Sequence, residues 1–212
     1  MPLFFQQQTA EAQVAVWHIT EGEDFFVPYL PPLLQVTHPH KRLQHYAGRF
    51  LLQHVEPRFP LAQILLADTR KPYLPNEAFH FSISHCGDFA AVCISEKRRV
   101  GVDIEAITPK IARIQNKFCS EAEAALLAQH FATSDEKAWH QALTLLWSTK
   151  EALFKWYSMG GVDFIGHMPL RGLQQKAPHQ FESTVHFQKE AAQIVQVYNR
   201  FLDGLCLSFV VT

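Results

Sequence analysis

The longest helical pattern in this chain covers about residues 136–158, and most of the segments around it have the pattern of short strands. The pattern ends before the glycines at 160–161, which favour helix termination because glycine adopts a left-handed backbone conformation at little cost. A second helical repeat of apolar residues covers 41–55 and stops before Pro57. Two long helices among strands, without regular strand–helix–strand alternation, predict an α+β fold of antiparallel strands packed on helices.

The strands are predicted from alternating apolar residues between turn signals. They are expected at 12–19, 64–67, 79–84, 89–95, 100–105, 180–187, 193–201 and 205–211. The Cys-Gly-Asp segment at 86–88 predicts a hairpin turn, and the prolines Pro28, Pro31 and Pro32 predict a break after the first strand.

Two further signals set the remaining boundaries. Ser120 and Glu123 have the spacing of a capping box, which predicts a helix over 125–131. Charged residues interrupt the apolar pattern at 96–99. We therefore predict an N-terminal lobe of residues 1–98 and a C-terminal lobe of residues 99–212.

Composition narrows the class of protein and its partners. The chain has 212 residues, 48% of them hydrophobic, which indicates a globular protein with a sizeable core. Its net charge of -1 predicts no general attraction to nucleic acid or to an anionic membrane. No signal peptide or membrane span is visible, and the four cysteines lack Cys-x-x-Cys spacing, so a cytoplasmic protein with reduced thiols is expected. His38, His40 and His45 lack the partners of a zinc site.

Two carboxylates follow each other on one face of the predicted strand 100–105. Side chains alternate along a strand, so Gly101, Asp103 and Glu105 share a face, with the two acidic residues roughly 6–7 Å apart at the backbone. This spacing suits one cation between them, and we expect Gly101 to leave room for a ligand. The alternative is an edge strand with a solvated acidic face.

A third carboxylate lies on the long helix, among aromatic residues. Trp147, Glu151 and Lys155 are four residues apart and form one stripe. If this stripe faces the strand, three carboxylates converge and repel one another, which a hard cation such as Mg²⁺ relieves. The alternative is a surface ion pair between Glu151 and Lys155, which stabilises a helix by only about 0.3–0.5 kcal/mol.

Basic residues near these carboxylates predict a site for a polyphosphate. The set consists of Lys71, His85, Lys150 and Lys155. A nucleophile–base pair of Cys86 and His85 is a weaker alternative, because adjacent residues of a strand point in opposite directions.

Four motifs in this order and spacing resemble a known family. They are K-P-Y-L (71–74), S-I-S-H-C-G (82–87), V-G-V-D-I-E (100–105) and W-S-T-K-E-A-L-F-K (147–155). Together they resemble the 4'-phosphopantetheinyl transferases of the surfactin-synthetase-activating type. Two positions depart from the family pattern: Arg70 replaces a glycine, and Cys86 replaces a frequent serine.

The resemblance implies an activity and a fold. The activity is the Mg²⁺-dependent transfer of 4'-phosphopantetheine from coenzyme A to a serine of an apo-carrier protein, acyl or peptidyl, with release of 3',5'-ADP. The fold has two similar lobes in a pseudo-twofold arrangement, each a small antiparallel sheet on a long helix, with the coenzyme between them. A monomer is expected. A metal-dependent phosphohydrolase and a non-catalytic coenzyme A-binding module are the alternatives.

The resemblance also implies roles for individual residues. The metal ligands are Asp103, Glu105 and Glu151, and the catalytic residues are Glu151, Lys155 and His85. Lys155 and His85 bind the phosphates, with Lys150 as a further basic residue. The adenine side is contacted by Ser84 and by Lys71, Pro72 and Tyr73, and Lys41 or Arg42 contacts the 3'-phosphate.

A basic cluster is expected to bind the carrier protein, which is typically acidic around its modified serine. Its charges are Lys97, Arg98, Arg99, Lys110, Arg113 and Lys117, around the apolar residues Ile111, Ile114 and Phe118. Ordinary surface charge is the alternative.

Overall fold

The computed structural model describes residues 2–30, 36–69 and 71–212. The predicted α+β class is confirmed. The helices are α1 (Glu23–Phe26), α2 (Pro39–Val55), α3 (Glu121–Leu127) and α4 (Glu136–Tyr157), and 3-10 helices cover Val27–Tyr29, Leu61–Gln63 and Pro109–Lys117. The strands are β1 (Leu3–Gln8), β2 (Gln13–His18), β3 (Leu65–Leu66), β4 (Pro72–Tyr73), β5 (His80–Cys86), β6 (Phe89–Ser95), β7 (Val100–Ala106), β8 (Leu170–Ala177), β9 (Gln180–Phe187), β10 (Gln193–Leu202) and β11 (Leu205–Val211).

The first lobe consists of the antiparallel sheet β1-β2-β6-β5 with α2 on one face. α2 buries Tyr46, Ala47, Leu51 and Leu52, which lie on the side of the helix that faces the sheet. These residues join aromatic side chains of the sheet and of α1 in one core. Amphipathic spacing of this kind is why the segment forms a helix against a sheet.

The second lobe consists of the antiparallel sheet β7-β11-β10-β9-β8, and α4 lies on β7 and β11. Asp135 caps the start of α4 with its carboxylate. The helix ends at Tyr157, and Ser158 has the left-handed conformation with φ 74°. The helix therefore ends before the glycines at 160–161, since Ser158 already makes the turn.

The two sheets also pack face to face and form a third core between the lobes. Its members include Val14, Val16, Ala91 and Cys93 from the first sheet and Val102, Ile104, Leu207 and Phe209 from the second. Each sheet is thus covered by a helix on one face and by the other sheet on the opposite face. This arrangement explains why β6 and β7 are buried along most of their length.

Several boundaries differ from the sequence-based predictions. β1 and β8 were not expected, and both are edge strands whose exposed residues are mainly polar, which weakens the alternating pattern. The predicted strand 64–67 contains only β3, and the helix predicted at 125–131 is α3, which begins at its capping box. Pro31, Pro32 and Arg70 lie outside the described residues, so the predictions about them are not addressed.

None of the helices in the described ranges is long and apolar enough to cross a membrane. The four cysteines, all of them within those ranges, are free thiols. The predicted division at residues 98 and 99 falls between β6 and β7, in the segment that joins the two sheets. That the two lobes are separate domains stays a prediction.

Candidate active site

α4 lies directly on the acidic face of β7. The β-branched side chains of β7 point into the interlobe core, so Gly101, Asp103 and Glu105 face the helix side. A Cβ atom at position 101 would lie 2.1 Å from the carbonyl oxygen of Ala152. The prediction that Gly101 leaves room for a ligand is therefore wrong, because the helix fills this space.

Asp103 is the most buried of the three carboxylates, with 2% of its surface exposed. Its Oδ1 atom accepts hydrogen bonds from Lys155 Nζ at 2.7 Å and from Ser84 Oγ at 3.0 Å. Its Oδ2 atom is buried and receives no hydrogen bond from the residues that the structure describes. A buried carboxylate oxygen without a donor is costly, and a cation would satisfy it. The alternative of a solvated acidic face does not fit this burial.

Glu105 lies next to Asp103 on the face toward α4 and contacts the aromatic part of the helix. The Trp147 indole nitrogen donates a hydrogen bond of 3.1 Å to Glu105 Oε1. Burial raises the pKa of Glu105, and the negative charge of Asp103 raises it further. One oxygen of the carboxylate is thus held by a neutral indole N–H, which stays a donor over the whole physiological pH range.

Glu151 faces the same two carboxylates from α4. Its pKa is raised to about 7, first by burial and then by the charge of Asp103, while Lys155 opposes the shift and Glu105 adds to it. The predicted approach of Glu151 to Asp103 and Glu105 thus has electrostatic support. As they stand, however, no three or more His, Cys, Asp or Glu side chains among the described residues are arranged so that they could hold a metal ion. The metal assignment stays a prediction.

Lys155 makes its ion pair with Asp103 instead of with Glu151. Its Nζ atom also donates to Ser84 Oγ at 2.7 Å, and 26% of the Lys155 side chain remains exposed. The surface pair considered from the sequence is therefore not the arrangement that forms. The ammonium group lies between a buried carboxylate and the solvent-accessible cleft, where an anionic ligand can reach it.

A basic face of α2 lies opposite this cleft, and two of its residues, His45 and Arg49, were not assigned to the phosphate site from the sequence. Lys41, His45 and Arg49 are four residues apart, and the His45 ring lies 5.5 Å from the ring of His85. Burial lowers the pKa of His45 to about 4, with further contributions from the positive charges of Arg49 and other neighbours. The i, i+4, i+8 spacing starting at Lys41 was the available signal for His45 and Arg49.

His85 is exposed at the end of β5, on the side of α2. Partial desolvation lowers its pKa, and the charge of Lys155 lowers it further. The turn that follows β5 is tied to α2, because Gln44 Nε2 donates to the Gly87 carbonyl at 2.8 Å and His40 pairs with Asp88 at 2.9 Å. These two contacts place His85 beside the basic face of α2.

The neighbouring Cys86 does not serve His85 as a nucleophile. Its sulfur accepts the backbone N–H of Ala106 at 3.2 Å, and burial raises the pKa of the thiol. A raised pKa disfavours the thiolate that nucleophilic chemistry needs. The pair considered from the sequence is therefore not supported.

Arg42 joins the start of α2 to α1, and its guanidinium is already paired there. Its Nε atom donates to both Glu23 carboxylate oxygens at 2.9 Å, and its Nη1 atom donates to the Val36 carbonyl at 3.1 Å. Between the two residues expected at the 3'-phosphate, Lys41 remains the better candidate, since it is exposed at the start of α2.

Lys150 corrects another expectation, because it lies in the core and not in the cleft. It is 0% exposed, and its Nζ atom donates to the carbonyls of Phe118 at 2.6 Å and Phe164 at 2.8 Å. It also pairs with Glu123 at 2.6 Å. An ammonium group has three protons, so these three partners leave no donor for a coenzyme phosphate.

Lys71, from the predicted adenine-side stretch, contacts the end of α4. Its Nζ atom donates to the Lys155 carbonyl at 2.6 Å and to Ser158 Oγ. Burial lowers its pKa to about 8, with a smaller contribution from Arg99. Lys71 thus caps the C-terminus of α4 from the other lobe. Pro72 and Lys71 line a cavity of about 200 Å³ between the lobes, and Tyr73 lines a neighbouring cavity of about 280 Å³.

The basic cluster expected to bind a carrier is divided by the structure. Its first part precedes β7 and its second part follows that strand, so the two lie at opposite ends of β7. Arg98 is paired with Glu11, and Arg99 lies over the Trp156 ring. Phe118 and Ile111 are buried and do not form an exposed apolar centre. The exposed charges of the 3-10 helix Pro109–Lys117 remain as a basic surface after β7, and Lys97 remains exposed before that strand.

The comparisons with known proteins agree with the motifs. The model of the 4'-phosphopantetheinyl transferase superfamily matches residues 99–209, about half of the chain. The chain is 34% identical over 132 residues to "4'-phosphopantetheinyl transferase AcpT" of Escherichia coli (strain K12), which covers 59% of this chain and 64% of that protein. It is 31% identical over 118 residues to "Enterobactin synthase component D" of Salmonella austin, covering 56% of this chain and 48% of that protein.

A third relative is the "Putative 4'-phosphopantetheinyl transferase" of Haemophilus influenzae, 33% identical over 122 residues, with 51% of this chain and 47% of that protein covered. The chain therefore spans about half to two thirds of the length of these curated relatives. These relatives carry the names AcpT, enterobactin synthase component D and 4'-phosphopantetheinyl transferase, so the surfactin-synthetase-activating type stays a prediction.

Proposed function

The chain belongs to the 4'-phosphopantetheinyl transferase superfamily, and on that basis we propose that it transfers 4'-phosphopantetheine from coenzyme A to a serine of an apo-carrier protein. The observation that carries the proposal is Asp103, a buried carboxylate with one oxygen bound by Lys155 and the other without a donor among the described residues. Glu105 and Glu151 approach it with raised pKa values. This is the charge arrangement that a phosphoryl transfer site needs.

We assign the coenzyme to the cleft between the lobes. Its phosphates are proposed to meet Lys155, His85 and Lys41, with His45 and Arg49 extending the same basic face. The interlobe cavity at Lys71 is proposed to accept the adenine side. Charge-assisted hydrogen bonds from the lysine and arginine groups to phosphate are favourable here because the cleft walls exclude part of the solvent, and the histidines, whose pKa values are lowered, would act as neutral donors. Ser84 is a weaker candidate for the adenine side, because its hydroxyl is already used by Asp103 and Lys155.

The donor atoms of the site suit a hard divalent cation such as Mg²⁺, although the described side chains are not gathered into a group of three ligands. Carboxylate oxygens are its preferred ligands, and the unpartnered Asp103 Oδ2 together with Glu105 and Glu151 would hold it. When bound, the ion would neutralise phosphate charge and favour in-line attack. Mn²⁺ is a useful substitute in tests because it takes the same ligands and is paramagnetic.

The chain's own residues account for the remaining steps. The serine hydroxyl of the carrier attacks the phosphorus that bears pantetheine, and the bond to the leaving 3',5'-ADP oxygen breaks. Glu151 is proposed to take the serine proton, and burial and the charge of Asp103 raise its pKa to about 7 when no cation is bound. Lys155 and His85 stabilise the phosphate oxygens on which charge develops.

The test is a mass-spectrometric assay with coenzyme A, Mg²⁺ and a panel of apo-carriers, acyl and peptidyl. The expected product is a carrier whose mass has increased by one phosphopantetheine group. Free phosphate released without a carrier would indicate a phosphohydrolase, and coenzyme binding without any product would indicate a binding module. Either outcome would contradict the proposal.

The same assay tests the role of Asp103. Asp103→Asn keeps the size of the side chain but removes the charge, so we expect the rate to fall by more than about 100-fold. The control is Glu136→Gln, which removes an exposed carboxylate from the start of the same helix α4 that bears Glu151. Near-normal transfer by Asp103→Asn would show that Asp103 is not part of the active site.

The finer assignments are also proposals. We propose the surfactin-synthetase-activating branch on the four motifs, although the relatives reported above carry other names. A monomer is proposed because both lobes contribute to the cleft within one chain. A cytoplasmic location is proposed because free thiols are typical of a reducing compartment. The basic 3-10 helix Pro109–Lys117, close to the end of β7, is the proposed contact for an acidic carrier.

A further inference from the structure

The two lobes are joined by hydrogen bonds between side chains of β5 and the backbone of β7. Val102 N donates to Ser82 Oγ at 3.1 Å, Ile104 N to Ser84 Oγ at 3.3 Å, and Ala106 N to Cys86 Sγ at 3.2 Å. We call these three bonds the β5–β7 seam. β7 is the edge strand of its sheet, so these backbone donors have no strand partner on that side. The seam satisfies N–H groups that would be costly to bury unpaired.

Ser84 differs from the other two seam residues, because its hydroxyl also contacts the acidic site. It donates to Asp103 Oδ1 at 3.0 Å and accepts from Lys155 Nζ at 2.7 Å, besides accepting from Ile104 N. A serine hydroxyl has one proton and two lone pairs. All three are used, so its orientation is determined by the protein alone.

This arrangement also determines the orientation of the Asp103 carboxylate. Oδ1 is bound by both Ser84 and Lys155, and the carboxylate is planar, so the position of Oδ2 follows from that of Oδ1. Oδ2 is the buried oxygen without a donor among the described residues. Ser84 thus presents the free oxygen of Asp103 and keeps Lys155 beside it.

We propose that Ser84 is a positioning residue that orients Asp103 and Lys155 for the reaction, and not a contact for the adenine of the coenzyme. The expected effect of Ser84 on the reaction rests on the proposed function. The expected effect of Ser84 on cation binding can be measured without a carrier protein or coenzyme A. Residues that orient a metal ligand typically change metal affinity or activity by about 10- to 100-fold when they are replaced.

Ser82 offers a matched control on the same strand. It is buried to the same degree as Ser84, at 3% against 5% exposed, and it accepts one backbone N–H in the seam at a similar distance. Its hydrogen bond does not involve Asp103 or Lys155. Ser82→Ala therefore removes one seam bond and leaves the contacts of Asp103 and Lys155 in place, whereas Ser84→Ala removes one seam bond and the positioning contacts. Ser82 also lines the interlobe cavity at Lys71, so it is the control for melting temperature and Mn²⁺ binding and not for the KM of coenzyme A.

The experiment compares Ser82→Ala and Ser84→Ala in three measurements: the melting temperature, the Kd for Mn²⁺ without coenzyme or carrier, and the kinetics of carrier modification. We expect Ser84→Ala to lower the melting temperature at least as much as Ser82→Ala, because it removes two further hydrogen bonds. Only Ser84→Ala should weaken Mn²⁺ binding, by about tenfold or more, and lower kcat by a similar factor. Its KM for coenzyme A should stay within about threefold of the wild type, since the coenzyme does not contact Ser84.

A second pair, Ser82→Cys and Ser84→Cys, covers the case in which the alanine variants do not fold. Cys86 already accepts a backbone N–H in this seam, so a thiol can replace the structural bond. Sulfur is a weak donor and acceptor. We therefore expect Ser84→Cys to fold and still to lose Mn²⁺ affinity, and Ser82→Cys to keep it.

Three outcomes would overturn the proposal. Ser84→Ala with a raised KM for coenzyme A but unchanged kcat and Mn²⁺ affinity would make Ser84 a coenzyme contact. Equal losses of Mn²⁺ affinity and of kcat in the Ser82 and Ser84 variants would show that Ser84 acts only through its hydrogen bond in the β5–β7 seam. If the wild-type protein binds no Mn²⁺, Asp103 is not oriented for a cation and the proposal fails. A wild-type protein that binds Mn²⁺ but modifies no carrier would instead contradict the proposed function, and the Mn²⁺ comparison would still test Ser84.

Discussion

Lys150 and Lys155 lie five residues apart on α4, and their surroundings give them different roles. Lys155 is partly exposed beside Asp103 at the cleft. Lys150 is fully buried and joins the segment before α3, the loop after α4 and the capping-box residue Glu123. Glu123 also accepts the backbone N–H of Leu170 at 2.8 Å. Removing one partner of such a pair leaves an uncompensated buried charge.

We therefore expect Lys150→Met to lower the free energy of unfolding by about 3–5 kcal/mol. The double variant Lys150→Met/Glu123→Gln should recover part of this loss, because it leaves no charge unpaired. Urea unfolding of the wild type, both single variants and the double variant measures these effects. A stable Lys150→Met protein with a higher KM for coenzyme A would contradict the structural role. It would instead support the sequence-based assignment of Lys150 as a coenzyme contact.

His45 makes the stability of the protein depend on pH. Its pKa is about 4 in the folded protein against an ordinary value of 6.5, so between these values the unfolded chain binds more protons than the folded one. Stability from this group is therefore present above about pH 6.5 and is lost as the pH falls toward 4.

When the pH is lowered from 7 to 4.5, the free energy of unfolding of the wild type should decrease. In His45→Gln we expect this decrease to be smaller by about 1–2 kcal/mol. Because the ring is partly exposed, solvent screening keeps the difference below the full value of the pKa shift. Chemical unfolding at a series of pH values measures the difference. Parallel curves for the two proteins would show that His45 does not contribute.

At the scale of elements, the close contact of α4 with β7 brings Glu151 near Asp103. This contact requires glycine at position 101, where a Cβ would be 2.1 Å from the Ala152 carbonyl oxygen and 2.8 Å from the Trp156 backbone nitrogen. Backbone atoms in a packed helix cannot move aside as a flexible side chain can. The helix as a whole would have to shift.

Gly101→Ala is therefore expected to destabilise the protein by about 3 kcal/mol or more and to lower activity by displacing Glu151. Gly48→Ala is a graded control, because its Cβ would meet the Cγ2 atom of Ile83 at 2.6 Å, which is the end of a side chain. Gly22 has open space around it and is the N-cap of the short helix α1, so Gly22→Ala should cost about 1 kcal/mol or less. Melting temperatures that do not follow this order would contradict the packing argument.

At the scale of the whole molecule, the two lobes share both a core and a site. Val102 and Ile104 of the second lobe pack against Val14 and Ala91 of the first. The site takes Ser84 and His85 from the first lobe and its three carboxylates from the second. Neither lobe can therefore expose its inner sheet face without placing apolar side chains in water.

We expect the fragment 99–212 to aggregate or to bind a hydrophobic dye when it is produced alone, because the interlobe core would be exposed. Co-production with 1–98 should restore a soluble complex with carrier-modifying activity. Size-exclusion chromatography and thermal unfolding measure this. A soluble fragment 99–212 with a cooperative transition would show that the lobes fold independently.

The predictable part of this protein consists of features with strong local patterns. α2, α4 and the strands of the two sheet centres follow from apolar periodicity, and the acidic face of β7 follows from the alternation of side chains along a strand. β1 and β8 were missed because an edge strand with a solvated side has few apolar residues in its pattern. Lys150 was misassigned because nothing local distinguishes it from Lys155.

Local patterns thus identified the residue types of the site, since a carboxylate at position 103, 105 or 151 is chemically the same in any fold. Their partners depend on contacts between segments far apart in the chain: Ser84 with Asp103, Lys71 with the end of α4, and Lys150 with Glu123. Such contacts form only when the lobes pack together. Burial and through-space charge then change the hydrogen-bonding capacity and the pKa of each group, and neither quantity is a property of a residue's neighbours in the sequence.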